Sequence, residues 1–221
     1  MKADRIQPVT IGAGDASIAG DLTAPADSRG LVIFAHGSGS SRHSSRNRQV
    51  AASLVRLGFA TLLMDLLTEA EEAVDSRTAG YRFDIALLAE RLADATDWAS
   101  RHGDTRPLGI GYFGASTGAA AALVAASRRP AEVQAIVSRG GRPDLAGAPA
   151  LREVRAPTLL IVGGDDTEVL QLNQEAASCM RAPHELPIVE GATHLFEEPG
   201  ALDQVAALAG RWFLDHLGKS P

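Results

Sequence analysis

The sequence predicts an α/β domain with a mostly parallel sheet flanked by helices. Short apolar runs of strand length alternate with longer segments of helical periodicity, and the first two strands look like an antiparallel pair. The size agrees, because 221 residues with 45% hydrophobic content can bury one large core. We therefore expect a single domain over residues 1–221, with no internal repeat, linker or sizeable lid domain.

The sequence of the first part of the chain, up to residue 64, predicts four strands and one helix. Residues 6–11 and 16–22 flank a Gly-rich turn, as in a hairpin. Residues 31–35 are apolar throughout, which is typical of a strand buried on both faces, and 59–64 repeat that pattern. Between these two runs, apolar residues at helical spacing followed by a glycine predict a helix over 47–57.

The middle of the chain predicts a strand and a helix joined by a tight turn. Residues 66–82 are acidic and show no regular pattern, whereas 83–100 place their apolar side chains on one helical face. The apolar run 108–113 predicts a buried strand, and the run 119–126, rich in Ala and Leu, predicts a helix.

The last part of the chain continues the alternation. Residues 133–138 and 157–162 predict buried strands, 168–180 a helix, 185–189 the last strand and 201–217 a closing helix. Ligands of such sheets bind beyond the carboxyl ends of the strands, and the loops that carry reactive side chains follow those ends here.

The stretch Gly114-Ala-Ser116-Thr-Gly118 reads G-x-S-x-G between the predicted strand 108–113 and the helix 119–126. In that context the motif predicts a nucleophile elbow, a sharp turn that holds the serine hydroxyl above the sheet. The flanking residues must be small because strand and helix backbones cross closely there. The start of the helix offers free N–H groups beside the serine oxygen. Ser116 is therefore the predicted nucleophile.

A second pattern overlaps this motif, because Gly109, Gly111 and Gly114 spell the G-x-G-x-x-G of dinucleotide-binding proteins. That pattern expects an acidic residue about 20 positions further on. The region there holds two arginines and no carboxylate before Glu132. Arginines could suit a 2′-phosphate, so a dinucleotide-binding protein stays open as an alternative. We favour the elbow, with Gly109 and Gly111 as strand glycines that allow close packing.

A serine nucleophile needs a base, a carboxylate that orients the base, and donors for the oxyanion. His194 is the predicted base, because it lies in a Gly-Ala-Thr-His loop directly after the last strand. Asp166, after the strand 157–162, is the predicted acid, with Asp165 and Asp144 as alternatives. The order Ser, Asp, His is that of α/β-hydrolases.

The predicted oxyanion hole combines two backbone donors. One is the N–H of Thr117, the residue after the nucleophile. The other comes from the loop after the strand 31–35, where we choose the N–H of Ser38.

These motifs resemble those of the α/β-hydrolase superfamily over nearly the whole chain, and the short chain is similar to the dienelactone-hydrolase-like branch of small serine esterases. The resemblance implies an α/β-hydrolase fold and a Ser-His-Asp triad. One departure is that dienelactone hydrolases proper use a cysteine nucleophile, which favours a general carboxylesterase here. The motifs that carry the resemblance are His36-Gly-Ser-Gly-Ser, Gly-Ala-Ser116-Thr-Gly, Gly-Gly-Asp-Asp166 and Gly-Ala-Thr-His194.

Composition narrows the expected partners. A net charge of −6 without a basic run argues against nucleic acid. No apolar run approaches the roughly 20 residues of a membrane span, and the N-terminus shows no signal peptide. No cluster of ligating residues has metal-site spacing. We expect a cytoplasmic protein that acts on a small-molecule ester without a cofactor, and the sequence does not indicate its oligomeric state.

Basic residues in loops beyond the strand ends are either solvated surface charge or substrate contacts. If they line the mouth of the site, they attract an anionic or polar ester. They are Arg42, His43, Arg46, Arg139 and Arg142.

The predicted function is a serine hydrolase of the carboxylesterase type. It would cleave short-chain or small polar esters through an acyl-enzyme on Ser116. Dienelactone or other lactone hydrolysis, thioester hydrolysis and acyl transfer on the same fold stay open. A non-catalytic or dinucleotide-binding α/β protein is the alternative from another class.

Overall fold

A computed structural model describes residues 5–218 and contains a mixed sheet with the strand order β1-β2-β4-β3-β5-β6-β7-β8, to which β9 is added beside β7. The two strands at the start are antiparallel, as predicted. β2 is also antiparallel to β4, and the pairings among β3 to β9 are parallel. The strands are β1 Gln7–Ala13, β2 Ala16–Thr23, β3 Leu31–Ala35, β4 Ala60–Met64, β5 Ile110–Ala115, β6 Val133–Arg139, β7 Thr158–Gly163, β8 His184–Glu185 and β9 Ile188–Val189.

Helices cover both faces of the sheet, so two apolar cores form. The side chains of β3 show how the sheet divides them: Ile33 packs into one core with α3 and α4, and Phe34 packs into the other with α1 and α7. The helices are α1 Ser45–Arg56, α2 Glu69–Thr78, α3 Ile85–Ala99, α4 Thr117–Arg128, α5 Gly147–Glu153, α6 Thr167–Cys179 and α7 Ala201–His216.

Helix α2 lies within residues 66–82, an acidic and less regular stretch to which the sequence analysis assigned no element. Its start is a capping box: the Glu71 N–H donates to Thr68 Oγ1 at 3.2 Å, and the Thr68 N–H donates to Glu71 Oε2 at 2.7 Å. Its one buried residue is Asp75, whose Oδ1 accepts from the N–H groups of Tyr81 and Arg82 at 2.8 Å each. The helix is therefore anchored by polar contacts and not by an apolar face.

Two further segments differ from the prediction. The chain from Pro143 to Glu153 is helical, first as a 3₁₀ turn and then as α5, where no element was predicted. The predicted strand 185–189 is two short pairings with β7, one on each side of Pro187. A proline has no N–H for a sheet ladder, which explains the interruption.

The carboxyl ends of β3, β5, β6 and β7 and the loop after β9 lie at one edge of the sheet. The residues predicted to act together are therefore brought to the same place. No helix within residues 5–218 is both long and apolar enough to cross a membrane.

Candidate active site

Ser116 occupies a sharp turn between β5 and α4. Its backbone angles are φ 50° and ψ −122°, a region that residues with a side chain seldom adopt. The N–H of Ser116 donates to the carbonyl of Arg139 at the end of β6. The turn therefore has the backbone conformation that a nucleophile elbow requires.

The glycines on either side of Ser116 are required by the close crossing of backbones. A Cβ on Gly114 would lie 2.4 Å from the Cα of Ala119 in α4. A Cβ on Gly118 would lie 2.3 Å from the carbonyl oxygen of Ala35 at the end of β3. The motif thus packs the start of α4 against two neighbouring strands.

Gly118→Ala is expected to lower the free energy of unfolding by about 1–3 kcal/mol, because the atoms that its methyl group would meet are backbone carbonyls that cannot move aside. Urea denaturation of both proteins measures the change. Gly103→Ala is the matched control, because a Cβ there meets nothing within 4 Å. Equal stabilities of the two variants would contradict the close crossing.

His194 and Asp166 are hydrogen-bonded at 2.7 Å between Nδ1 and Oδ2. A carboxylate only accepts hydrogen bonds, so Nδ1–H is the donor and Nε2 is left free. Asp166 precedes α6, but its side chain makes no capping hydrogen bond, so its carboxylate is available to accept from the imidazole. The Asp166 side chain is 15% exposed and that of His194 36% exposed.

The other two candidate acids lie elsewhere. Asp165 is exposed, and its N–H donates to the carbonyl of Ala192. Asp144 accepts two hydrogen bonds from the guanidinium of Arg142, at 2.9 and 2.7 Å. Of the three predicted carboxylates, Asp166 is the one that contacts the histidine.

Ser116 and His194 line the same cavity, whose volume is about 210 Å³. We call it the serine cavity. Ser38, Arg46, Asn47 and Arg139 also line it. The side chains of His194 and Ser116 therefore face one small cavity.

The two residues predicted to supply oxyanion donors are neighbours. Their side-chain oxygens, Ser38 Oγ and Thr117 Oγ1, are 3.3 Å apart. A Cβ on Gly37 would lie 3.1 Å from the Cβ of Ser116, so this loop passes directly over the serine. The geometry places both residues beside the predicted nucleophile.

His36 positions this loop. Its Nδ1–H donates to the carbonyl of Gly37 at 2.9 Å, and its Nε2 accepts from the N–H of Leu66 at 3.1 Å. Burial lowers the pKa of His36, so the ring is neutral at neutral pH. The histidine fastens the loop after β3 to the loop after β4.

The basic residues predicted near the mouth have different surroundings. Arg46 and Arg139 line the serine cavity. Arg42 pairs with Asp65 and Arg142 with Asp144. His43 Nδ1 lies 2.7 Å from the guanidinium of Arg48 and lines a second, larger cavity.

We call the larger space, of about 700 Å³, the outer cavity. It shares Ser40 and Ser44 with the serine cavity and is bordered on its far side by α2. Carboxylates are frequent in its lining, which includes Asp65, Glu69 and Glu72. The sequence analysis did not predict that α2 borders the site. The capping pattern Thr68-x-x-Glu71, which marks the start of a helix, was the signal that could have indicated it.

The glycines of the overlapping dinucleotide pattern have packing roles. A Cβ on Gly111 would lie 2.8 Å from Phe213 Cε1 of α7, and one on Gly109 would lie 2.1 Å from the carbonyl oxygen of Gly218. This packing accounts for both glycines without a bound dinucleotide. Within residues 5–218, no group of three or more His, Cys, Asp or Glu side chains is arranged to hold a metal ion.

Comparison with known proteins gives a consistent family. A sequence model of the dienelactone hydrolase family matches residues 18–214. The crystal structure of a dienelactone hydrolase from Anabaena variabilis is 55% identical, with a TM-score of 0.94 over 96% of this chain and 98% of that one. An esterase domain from Rhodothermus marinus is 20% identical with a TM-score of 0.74, over 96% of this chain and 99% of that one, and shares the fold.

A curated relative from Mycobacterium tuberculosis carries a provisional phosphoribosyl transferase name. It is 59% identical over 213 residues, which are 96% of this chain and 47% of the relative. The chain thus spans about half the length of the curated relatives that it matches in this way.

Proposed function

The chain belongs to the dienelactone hydrolase family, and we propose that it is a serine hydrolase that cleaves short-chain or small polar carboxylic esters. The observation that carries the proposal is the hydrogen bond between His194 Nδ1 and Asp166 Oδ2 in a cavity that also holds Ser116. A serine at an elbow, a histidine with a free Nε2 and an orienting carboxylate form the set that acyl transfer needs.

In the proposed reaction, Ser116 Oγ attacks the ester carbonyl while His194 Nε2 takes its proton. Asp166 holds the imidazole in the required tautomer and stabilises its charged form. The N–H groups of Thr117 and Ser38 bind the oxyanion. His194 then protonates the leaving alcohol, and water cleaves the acyl-enzyme by the same steps in reverse.

We propose a general carboxylic ester, not a dienelactone, as the substrate, because the predicted nucleophile is a serine. The sequence has Ser116 where dienelactone hydrolases proper have cysteine. A serine hydroxyl is not ionised at neutral pH, so it depends on the adjacent base that the bond between His194 and Asp166 prepares.

Phosphoribosyl transfer is not proposed for this chain. The part of the Mycobacterium tuberculosis relative that this chain matches is 47% of that protein. The family model matches residues 18–214 of this chain and describes a hydrolase.

The size of the serine cavity predicts a preference for short acyl groups. Its 210 Å³ corresponds to the volume of about seven water molecules. We expect kcat/KM for p-nitrophenyl esters to be highest between acetate and butyrate, with no increase in rate above the critical micelle concentration. A kcat/KM that rises steadily beyond eight carbons, or a rate that jumps when micelles form, would contradict this. An enzyme that hydrolyses none of these esters would overturn the proposed function itself.

A further inference from the structure

Arg139 is a buried charge that forms no ion pair with a carboxylate in the described part of the chain. The residue is 7% exposed, and its Nε has no hydrogen-bond partner among residues 5–218. Burial, together with the nearby charge of Arg46, lowers the pKa of Arg139 to about 10. The guanidinium therefore remains protonated at neutral pH. Its Cζ lies 5.8 Å from the ring centroid of Phe196, a cation–π contact that partly replaces lost hydration.

The backbone places this charge beside the proposed nucleophile. Arg139 is the last residue of β6 and pairs in register with Ala115, the residue before Ser116. Its carbonyl accepts the N–H of Ser116, and its side chain lines the serine cavity. A group bonded to Ser116 therefore lies in the cavity that the Arg139 side chain lines.

The other arginines around the site have carboxylate partners. Arg42 pairs with Asp65, Arg46 with Glu197 at 2.9 Å and Arg142 with Asp144 at 2.7 Å. An unpaired buried charge is unfavourable, so its presence in a cavity points to an anion supplied by a ligand.

The rest of the cavity also suits an anion. The Nε of Arg46 is buried without a partner in the described chain. Ser44, Arg46 and Asn47 form the start of α1, and all three line the cavity. The N–H groups and dipole at a helix start favour negative charge.

We propose that Arg139 binds a carboxylate on the acyl half of the substrate, so that the enzyme prefers monoesters of short dicarboxylic acids. This inference rests on the proposed serine hydrolase function. The acyl half is assigned to the serine cavity because the acyl group stays bonded to Ser116, which lines that cavity, after the alcohol has left. The outer cavity carries Glu69 and Glu72, whose charges repel an anion there.

The test compares esters that differ in one charge. Monoethyl succinate carries the carboxylate on the acyl half, ethyl pentanoate is its uncharged counterpart, and O-acetylglycolate carries the carboxylate on the alcohol half. We expect kcat/KM to be about tenfold or more higher for monoethyl succinate than for ethyl pentanoate, as a hydrogen-bonded ion pair typically contributes. O-Acetylglycolate should show no such advantage.

Arg139→Met should remove this preference, mainly by raising KM for monoethyl succinate, while ethyl pentanoate is still hydrolysed. Exchanging a buried charge for an apolar side chain of similar volume usually preserves the fold. Arg139→Lys keeps a charge and should restore part of the preference. Arg129→Met, which removes an arginine paired with Asp97 at the far end of α4, is the matched control and should change nothing.

Binding of succinate gives a readout that does not require turnover. Calorimetry should detect succinate binding to the parent protein and to Arg129→Met, and about tenfold weaker binding or none to Arg139→Met. Equal rates for the charged and uncharged esters, a preference for O-acetylglycolate, or a preference that survives in Arg139→Met would overturn the proposal and leave the serine hydrolase function standing. A parent protein that hydrolyses none of these esters, but binds succinate more tightly than Arg139→Met does, would instead overturn the proposed function.

Discussion

Ser116→Ala is expected to reduce kcat for p-nitrophenyl butyrate by at least about three orders of magnitude. The alanine has no oxygen to form the acyl-enzyme, whereas the oxyanion donors and the cavity remain. The elbow backbone, with φ 50° at this position, is held by the packing of Gly114 and Gly118 and does not depend on the hydroxyl. The variant should therefore unfold within a few degrees of the parent protein.

The control for this variant is Ser127→Ala near the end of the same helix. Its hydroxyl donates to the carbonyl of Val124 and lies outside the cavity lining, so the rate should stay near that of the parent. Steady-state rates and thermal unfolding of the parent and the two variants show whether activity is lost without loss of the fold. A Ser116→Ala protein that keeps near-parent activity would show that the nucleophile is another residue.

Asp166→Asn is expected to reduce kcat by about 10⁴-fold, the effect seen for the same change in a well-studied serine protease triad. The amide cannot hold His194 with its proton on Nδ1, so Nε2 no longer presents a lone pair to Ser116. The hydrogen bond of 2.7 Å between the two side chains is the contact that this change alters.

Asp165→Asn is the matched control, one residue away and exposed, and it should keep most of the activity. Asp144→Asn breaks the pair with Arg142 and should have a far smaller effect than Asp166→Asn. The kcat of the three variants on one ester ranks the three carboxylates. Equal losses at positions 165 and 166, or the greatest loss at 144, would reassign the acid.

Much of the fold could be predicted because it depends on local patterns. The runs 31–35 and 108–113 are apolar throughout, and such runs form strands buried on both faces. Since parallel strands end at one edge of the sheet, the loops that hold Ser116, Asp166 and His194 had to converge there. The sequence alone therefore led to the three residues whose geometry supports the proposed triad.

The parts that the sequence did not predict depend on contacts between distant residues. Helix α2 buries Asp75 rather than an apolar stripe, so no periodicity revealed it. Pro187 interrupts the last strand through the ladder bond that it cannot make. The burial of Arg139 depends on a contact with Phe196, which is distant in the sequence. An arginine at the end of a strand is otherwise typical of the protein surface.

Covalent labelling by a fluorophosphonate tests whether Ser116 is the nucleophile of an acyl transfer enzyme. We expect one adduct per chain, located on Ser116 by peptide mass spectrometry and absent from Ser116→Ala. Labelling should be much slower in His194→Ala, which lacks the base. An adduct on Cys179 or any other residue, or a parent protein that does not react, would contradict that assignment.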